Sequence, residues 1–182
     1  MPKHLVVAVD WFGPYKSIED ARAVMRQDNF APGLYFAIGR TDPDEEIQPQ
    51  YVGISTALAS KVGNRHHKLG KIDNLSLWVG EVGTAAPGGR KLKKTPPTLD
   101  MAEWLLAFFL APALNQKKTI DIPNVAVSLL NRWWKTDYET PYVRRPHADW
   151  PDLIDYLGHY YPTKIVWFGG KLKRVPPIIP SA

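Results

Sequence analysis

The chain contains no cysteine. That excludes disulfides and thiolate metal sites, and it fits a reducing compartment. Long apolar runs are missing as well: the longest, Trp104 to Leu114, is about half of what a membrane span requires. The opening "MPKHLVVAVDWFG" has too short an apolar stretch for a secretory signal. Nucleotide-binding glycine motifs are also absent. No Gly-x-Gly-x-x-Gly follows an expected strand, and in "GTAAPGG" at 83–89 Gly89 stands where a phosphate loop needs its lysine. His66 and His67 are adjacent, so they lack the i, i+4 spacing by which a helix grips zinc. These absences predict a cytoplasmic protein with no membrane span and no nucleotide cofactor.

What is present suffices for a packed core. Hydrophobic residues make up 45% of 182 positions, which predicts one domain with additions. The net charge of +5 permits a polyanionic partner. Its distribution says more. Basic residues gather at Arg90, Lys91, Lys93 and Lys94, at Arg144 and Arg145, and at Lys171, Lys173 and Arg174, while acids gather in "DPDEE" at 42–46. Each basic cluster is a candidate for phosphate contacts, the loop at 90–94 above all.

Periodicity and punctuation give an element order. Residues 4–9 read as a strand. Ser17 with Asp20 resembles a capping box and opens a helix to Gln27, with Ile18, Ala21 and Met25 on one face. Strands are expected at 33–38, 51–54 and 75–82, and a helix after Ser55 or Thr56 runs to about His66. Asp100 caps an apolar helix over 101–111, which stops at Pro112. Further helices are expected at 125–135 and from Pro151 to Tyr160, followed by a hairpin turning on Gly169-Gly170. Trp133, Trp134 and Trp150 suit buried packing better than base stacking.

Two short runs stand out. "GLYFAIG" places Gly33-Leu34-Tyr35 at the head of one strand, and "QYVGIS" places Tyr51-Val52-Gly53 on the next. Read alone, each tyrosine is an ordinary strand aromatic, and Glu103, three residues after Asp100, is an ordinary acid in a helix's first turn. The order of the whole set is less ordinary. Lys61 lies ten residues past Tyr51, Arg65 four further on, then Glu103 in the apolar helix, then Pro112 and Asn115.

This set resembles the GIY-YIG nuclease superfamily over about 33–117. The resemblance implies an α+β fold: a small antiparallel three-stranded sheet flanked by helices, with additions at both ends (1–32 and 118–182). It implies a metal-dependent endonuclease hydrolysing DNA phosphodiester bonds, with Tyr35, Tyr51, Lys61, Arg65 and Asn115 as catalytic residues. Glu103 would hold Mg²⁺ or Mn²⁺. The chemistry suits these residue types. Hydrolysis needs a positioned water, a base, and positive charge where the phosphorane forms. A tyrosine hydroxyl activates or orients the water, the cations on the helix face steady the phosphorane, and Asn115 ties the site together.

Two positions depart from the family pattern. Lys61 stands where the family has arginine, losing the planar fork that grips two phosphate oxygens. Ile54 stands where many members carry lysine. An alternative expectation follows: a degenerate module that binds nucleic acid or a protein without cutting.

Overall fold

The computed structural model describes residues 4–28, 32–63, 66–84 and 96–180. Its elements are β1 (Leu5–Tyr15), α1 (Ile18–Gln27), β2 (Gly33–Arg40), β3 (Gln48–Ser55), α2 (Leu58–Lys61), β4 (Asp73–Val82), α3 (Pro97–Leu110), β5 (Val127–Trp134), β6 (Leu153–Tyr156), β7 (Thr163–Trp167) and β8 (Lys171–Val175). A single 3₁₀ turn, Leu69–Lys71, precedes β4.

All eight strands form one sheet in the order β3-β2-β4-β1-β5-β6-β7-β8. β1 and β5 run parallel, and the other neighbours run antiparallel. This corrects the expected small three-stranded sheet. β2, β3 and β4 do lie side by side, but the far edge of β4 pairs with β1, Trp11 opposite Gly80, and the sheet continues beyond β1 through four more strands.

The expected helix at 125–135 is also wrong, because that segment is β5. Val127, Leu129, Asn131 and Trp133 turn inward, while Ser128, Leu130, Arg132 and Trp134 turn outward or are half-buried. This is a period of two. Apolar Leu130 and Trp134 on the outer side and polar Asn131 on the inner side disguise it. Asn131 is satisfied inside: it accepts from Trp11 Nε1 at 2.9 Å and donates to the Pro151 carbonyl at 2.9 Å. The segment after Pro151 is likewise a strand, β6, which buries Ile154 and Tyr156. The helix expected to reach His66 shrinks to the single turn of α2, and Val62 has already left helical geometry (φ −85°, ψ 103°).

Each face of the sheet carries its own core. α3 covers one face, packing Leu99, Ala102, Leu105 and Leu106 against Val7, Val9, Phe36 and Val52. Trp150 is the hub there: it stacks on Phe36 at 3.9 Å and meets Trp11 and Trp133 edge-on at 5.0 and 5.4 Å. Burial of Trp133 and Trp150 is thus packing, as expected. α1 and α2 cover part of the other face, burying Ala21, Met25 and Leu58 against Tyr35, Ala37 and Val79. Ser17 caps α1, its Oγ accepting from Asp20 N at 3.0 Å. Among the described residues no helix is long and apolar enough to cross a membrane.

Candidate active site

The site grows from the pairing of β2 with β3, the edge strand. Tyr35 lies opposite Gly53, and Ala37 lies opposite Tyr51. Residues two apart share a face, so the two tyrosines are diagonal neighbours on one side of the hairpin. Their ring centroids are 5.8 Å apart. Tyr35 is buried, and Tyr51 is half-buried.

Behind them stands His66. Its Nδ1 accepts from the backbone N–H groups of Lys68 and Leu69 at 3.3 and 3.2 Å. A neutral imidazole has one acceptor and one donor, so the proton sits on Nε2. That Nε2–H donates to Tyr35 Oη at 2.9 Å. The Tyr35 hydroxyl is then left to donate onward, toward the neighbouring Tyr51 ring. The result is a directed bond from His66 to Tyr35, with Tyr51 beside Tyr35 at the pocket.

Burial sets the protonation of all three. It pushes the His66 pKa down to about 4, helped by the nearby charges of His67 and Lys61. Burial raises the Tyr35 pKa far above the ordinary value, and Tyr51 adds to this. The Tyr51 pKa is also raised, again by burial; the Tyr35 hydroxyl works against the rise and the charge of Glu103 with it.

The third wall comes from α3 and the segment after it. Asp100 and Glu103 are spaced i, i+3 and share a helix face. Asp100 is not the expected cap, because the helix starts earlier, at Pro97. Instead both bind Lys118, whose Nζ is 2.5 Å from Asp100 Oδ1 and 2.5 Å from Glu103 Oε2. The Ile54 backbone N–H lies near enough to the Glu103 carboxylate to favour its charged form. Burial raises the Glu103 pKa, and Lys118 offsets part of the rise. For Lys118 burial works against the charge, but the two carboxylates outweigh it and the pKa ends above the ordinary value.

Asn115 fastens this wall to the sheet. Its Oδ1 accepts from Val52 N and its Nδ2 donates to Val52 O, both at 2.9 Å. Leu114 N adds a bond to Gln50 O at 2.8 Å. The free edge of β3 is satisfied there by a loop instead of another strand.

Together these elements enclose a cavity of about 270 Å³, lined by Tyr51, Lys61, His67, Glu103, Asn115 and Lys118 among others. Four of the residues singled out by sequence, Tyr51, Lys61, Glu103 and Asn115, therefore meet in one place, with Tyr35 directly behind Tyr51. Arg65, Arg90, Lys91, Lys93 and Lys94 lie outside the described residues. Sequence reasoning missed the roles of Lys118 and Asp100, and of His66 it noted only that it lacks the zinc-binding spacing. The signal for Lys118 was slight: one lysine of the pair that closely follows Asn115.

Glu103 as it stands does not fit a divalent ion. Mg²⁺ is held by hard oxygen donors, and a single carboxylate serves only if it is available. Here Glu103 is spent on the Lys118 ammonium. Among the described residues no group of three or more His, Asp or Glu side chains converges to hold a metal. No family model matches the chain, and neither a curated protein nor a solved structure matches it.

Proposed function

We propose that this pocket binds a DNA phosphodiester and hydrolyses it, in the manner of a GIY-YIG-type endonuclease. The observation that carries the reading is the convergence of Tyr51, Lys61, Glu103 and Asn115 on one cavity. They come from β3, α2, α3 and the loop beyond it.

The cavity suits an anion. Lys61, Lys68, Lys117 and Lys118 line it, against one acid, Glu103, among the described residues. A phosphate entering it displaces bound counterions, which favours binding at low salt. Tyr51 faces the phosphate with the Tyr35 ring packed behind it. In its ionised form Tyr51 takes a proton from water as that water attacks phosphorus; the P–O ester bond opposite breaks, and the leaving oxygen takes its proton from solvent. Lys61 and Lys118 offset the charge that gathers on the phosphoryl oxygens. The absence of cysteine suits action on DNA in a reducing cytoplasm.

A second reading is a module that holds DNA without cutting it. The ion pair between Lys118 and Glu103 favours it, since it occupies the carboxylate that the family resemblance assigns to catalysis. Conversion of supercoiled plasmid to nicked circles separates the two. The hydrolase reading expects nicking that Glu103→Gln reduces strongly while the fold persists by circular dichroism. Salt-dependent DNA binding with no nicking under any condition selects the second reading.

A further inference from the structure

Lys118 is placed with more structure than an incidental ion pair needs. Its backbone is left-handed, φ 61°, a region that disfavours residues other than glycine. The loop that bears it is bolted to β3 three residues earlier through Asn115. Its ammonium sits between the carboxylates of Asp100 and Glu103 and lies 5.2 Å from the centre of the Trp104 ring. A cation over an aromatic face is attracted by the ring's quadrupole. The side chain is only 21% exposed, yet Lys118 lines the cavity. Carboxylates, aromatic ring and strained loop thus hold one positive charge at the pocket wall.

That is the position a divalent ion would need. Two oxygens from adjacent turns of a helix, both within contact of a single point, would be its protein donors. A metal ion entering there must first evict an ammonium from two charge-assisted bonds. It must then tolerate a lysine tethered a few ångströms away by the loop.

We propose that the Lys118 ammonium is the resident cation of this site and takes the place of a divalent metal. Asp100 and Glu103 act as the clamp that aims it at a bound phosphate. The statement about phosphate rests on the functional reading above. The statement about metal does not, because it concerns the free protein.

The test is Mn²⁺ binding to the full chain, followed by electron paramagnetic resonance of the free ion. Wild type leaves Mn²⁺ free at millimolar concentration. Lys118→Met releases both carboxylates and gains one site, at least about tenfold tighter than any wild-type binding. Adding Glu103→Gln to that variant removes the site again. A wild-type protein that binds one Mn²⁺, and loses it on Glu103→Gln, overturns the inference. So does a folded Lys118→Met protein that gains no ion. If Lys118→Met does not fold, the wild-type measurement and its Glu103→Gln control decide alone. Plasmid nicking with excess EDTA is the second arm: undiminished nicking supports the resident cation, and abolished nicking overturns it. A protein that never nicks sinks the hydrolase reading, while the Mn²⁺ result still judges the lysine.

Discussion

The ring of Tyr35 lies across Gly53, its partner on the neighbouring strand. A Cβ built on Gly53 would stand 2.5 Å from both Cζ and Oη of that tyrosine. The glycine of the Tyr51-Val52-Gly53 run follows from this. Tyr51 needs its companion ring two positions away, and that ring needs a missing side chain beneath it. Gly53→Ala forces Tyr35 off its rotamer and breaks the bond from His66. The expected cost is about 1–3 kcal/mol of stability, measured by urea denaturation. Gly70→Ala is the control, because nothing lies within 4 Å of an added Cβ there. Equal effects from the two substitutions would contradict the packing account.

Asn115 offers a sharper substitution. It satisfies both the N–H and the C=O of Val52 with one amide. Asn115→Asp keeps the acceptor but sets an oxygen against the Val52 carbonyl. The expected destabilisation is about 1–3 kcal/mol, with plasmid nicking lost as the wall detaches. A variant as stable as wild type would show that the loop does not depend on this pairing.

His66 predicts a pH dependence on the acid side. Its folded pKa is about 4, below the ordinary 6.5, so the fold favours the neutral ring. The stability it contributes is complete above pH 6.5 and is lost as pH falls from there toward 4. Charging the ring removes the acceptor that Lys68 N and Leu69 N use, and adds a cation beside His67, Lys61 and Lys68. The urea midpoint of wild type should fall between pH 6.5 and 5. His66→Gln should flatten that slope, and an unchanged slope would exclude His66 as its source.

Tyr51 predicts the opposite limb. Its pKa is raised, so at neutral pH nearly all of it is protonated. If its ionised form is the base, the nicking rate climbs with pH beyond the ordinary tyrosine range near 10, with no plateau at neutral pH. A profile flat from pH 7 to 9 would assign the proton to another group. Structural stability bears on the same window. Burial also lifts the Tyr156 pKa to about 12, and the fold favours its neutral form. The stability contributed by these buried phenols is therefore lost as pH rises through their folded pKa values, so rates need a parallel check of folding.

The half-motifs were legible because each is contiguous and its chemistry is local. Tyr35, Tyr51 and Gly53 could be read as partners once two adjacent strands were assumed. The apolar helix with Glu103 was legible from its composition. The sheet beyond β4 was not, because β1 finds β5 from more than a hundred residues away and β5 hides its alternation behind Leu130 and Trp134. Lys118 was invisible for a related reason. Its meaning comes from Asp100 and Glu103, 18 and 15 residues earlier, and from a left-handed backbone turn that a lysine does not advertise. The role of His66 was hidden because it depends on a turn folding back so that two backbone N–H groups meet Nδ1.

The most direct measurement is the single-turnover rate at which the chain nicks a supercoiled plasmid at pH 9, for wild type and for Tyr51→Phe. Phenylalanine keeps the ring against Tyr35 and removes only the pocket-facing oxygen. The account predicts a fall of at least about a hundredfold, with DNA binding retained. Equal rates for the two proteins would contradict it.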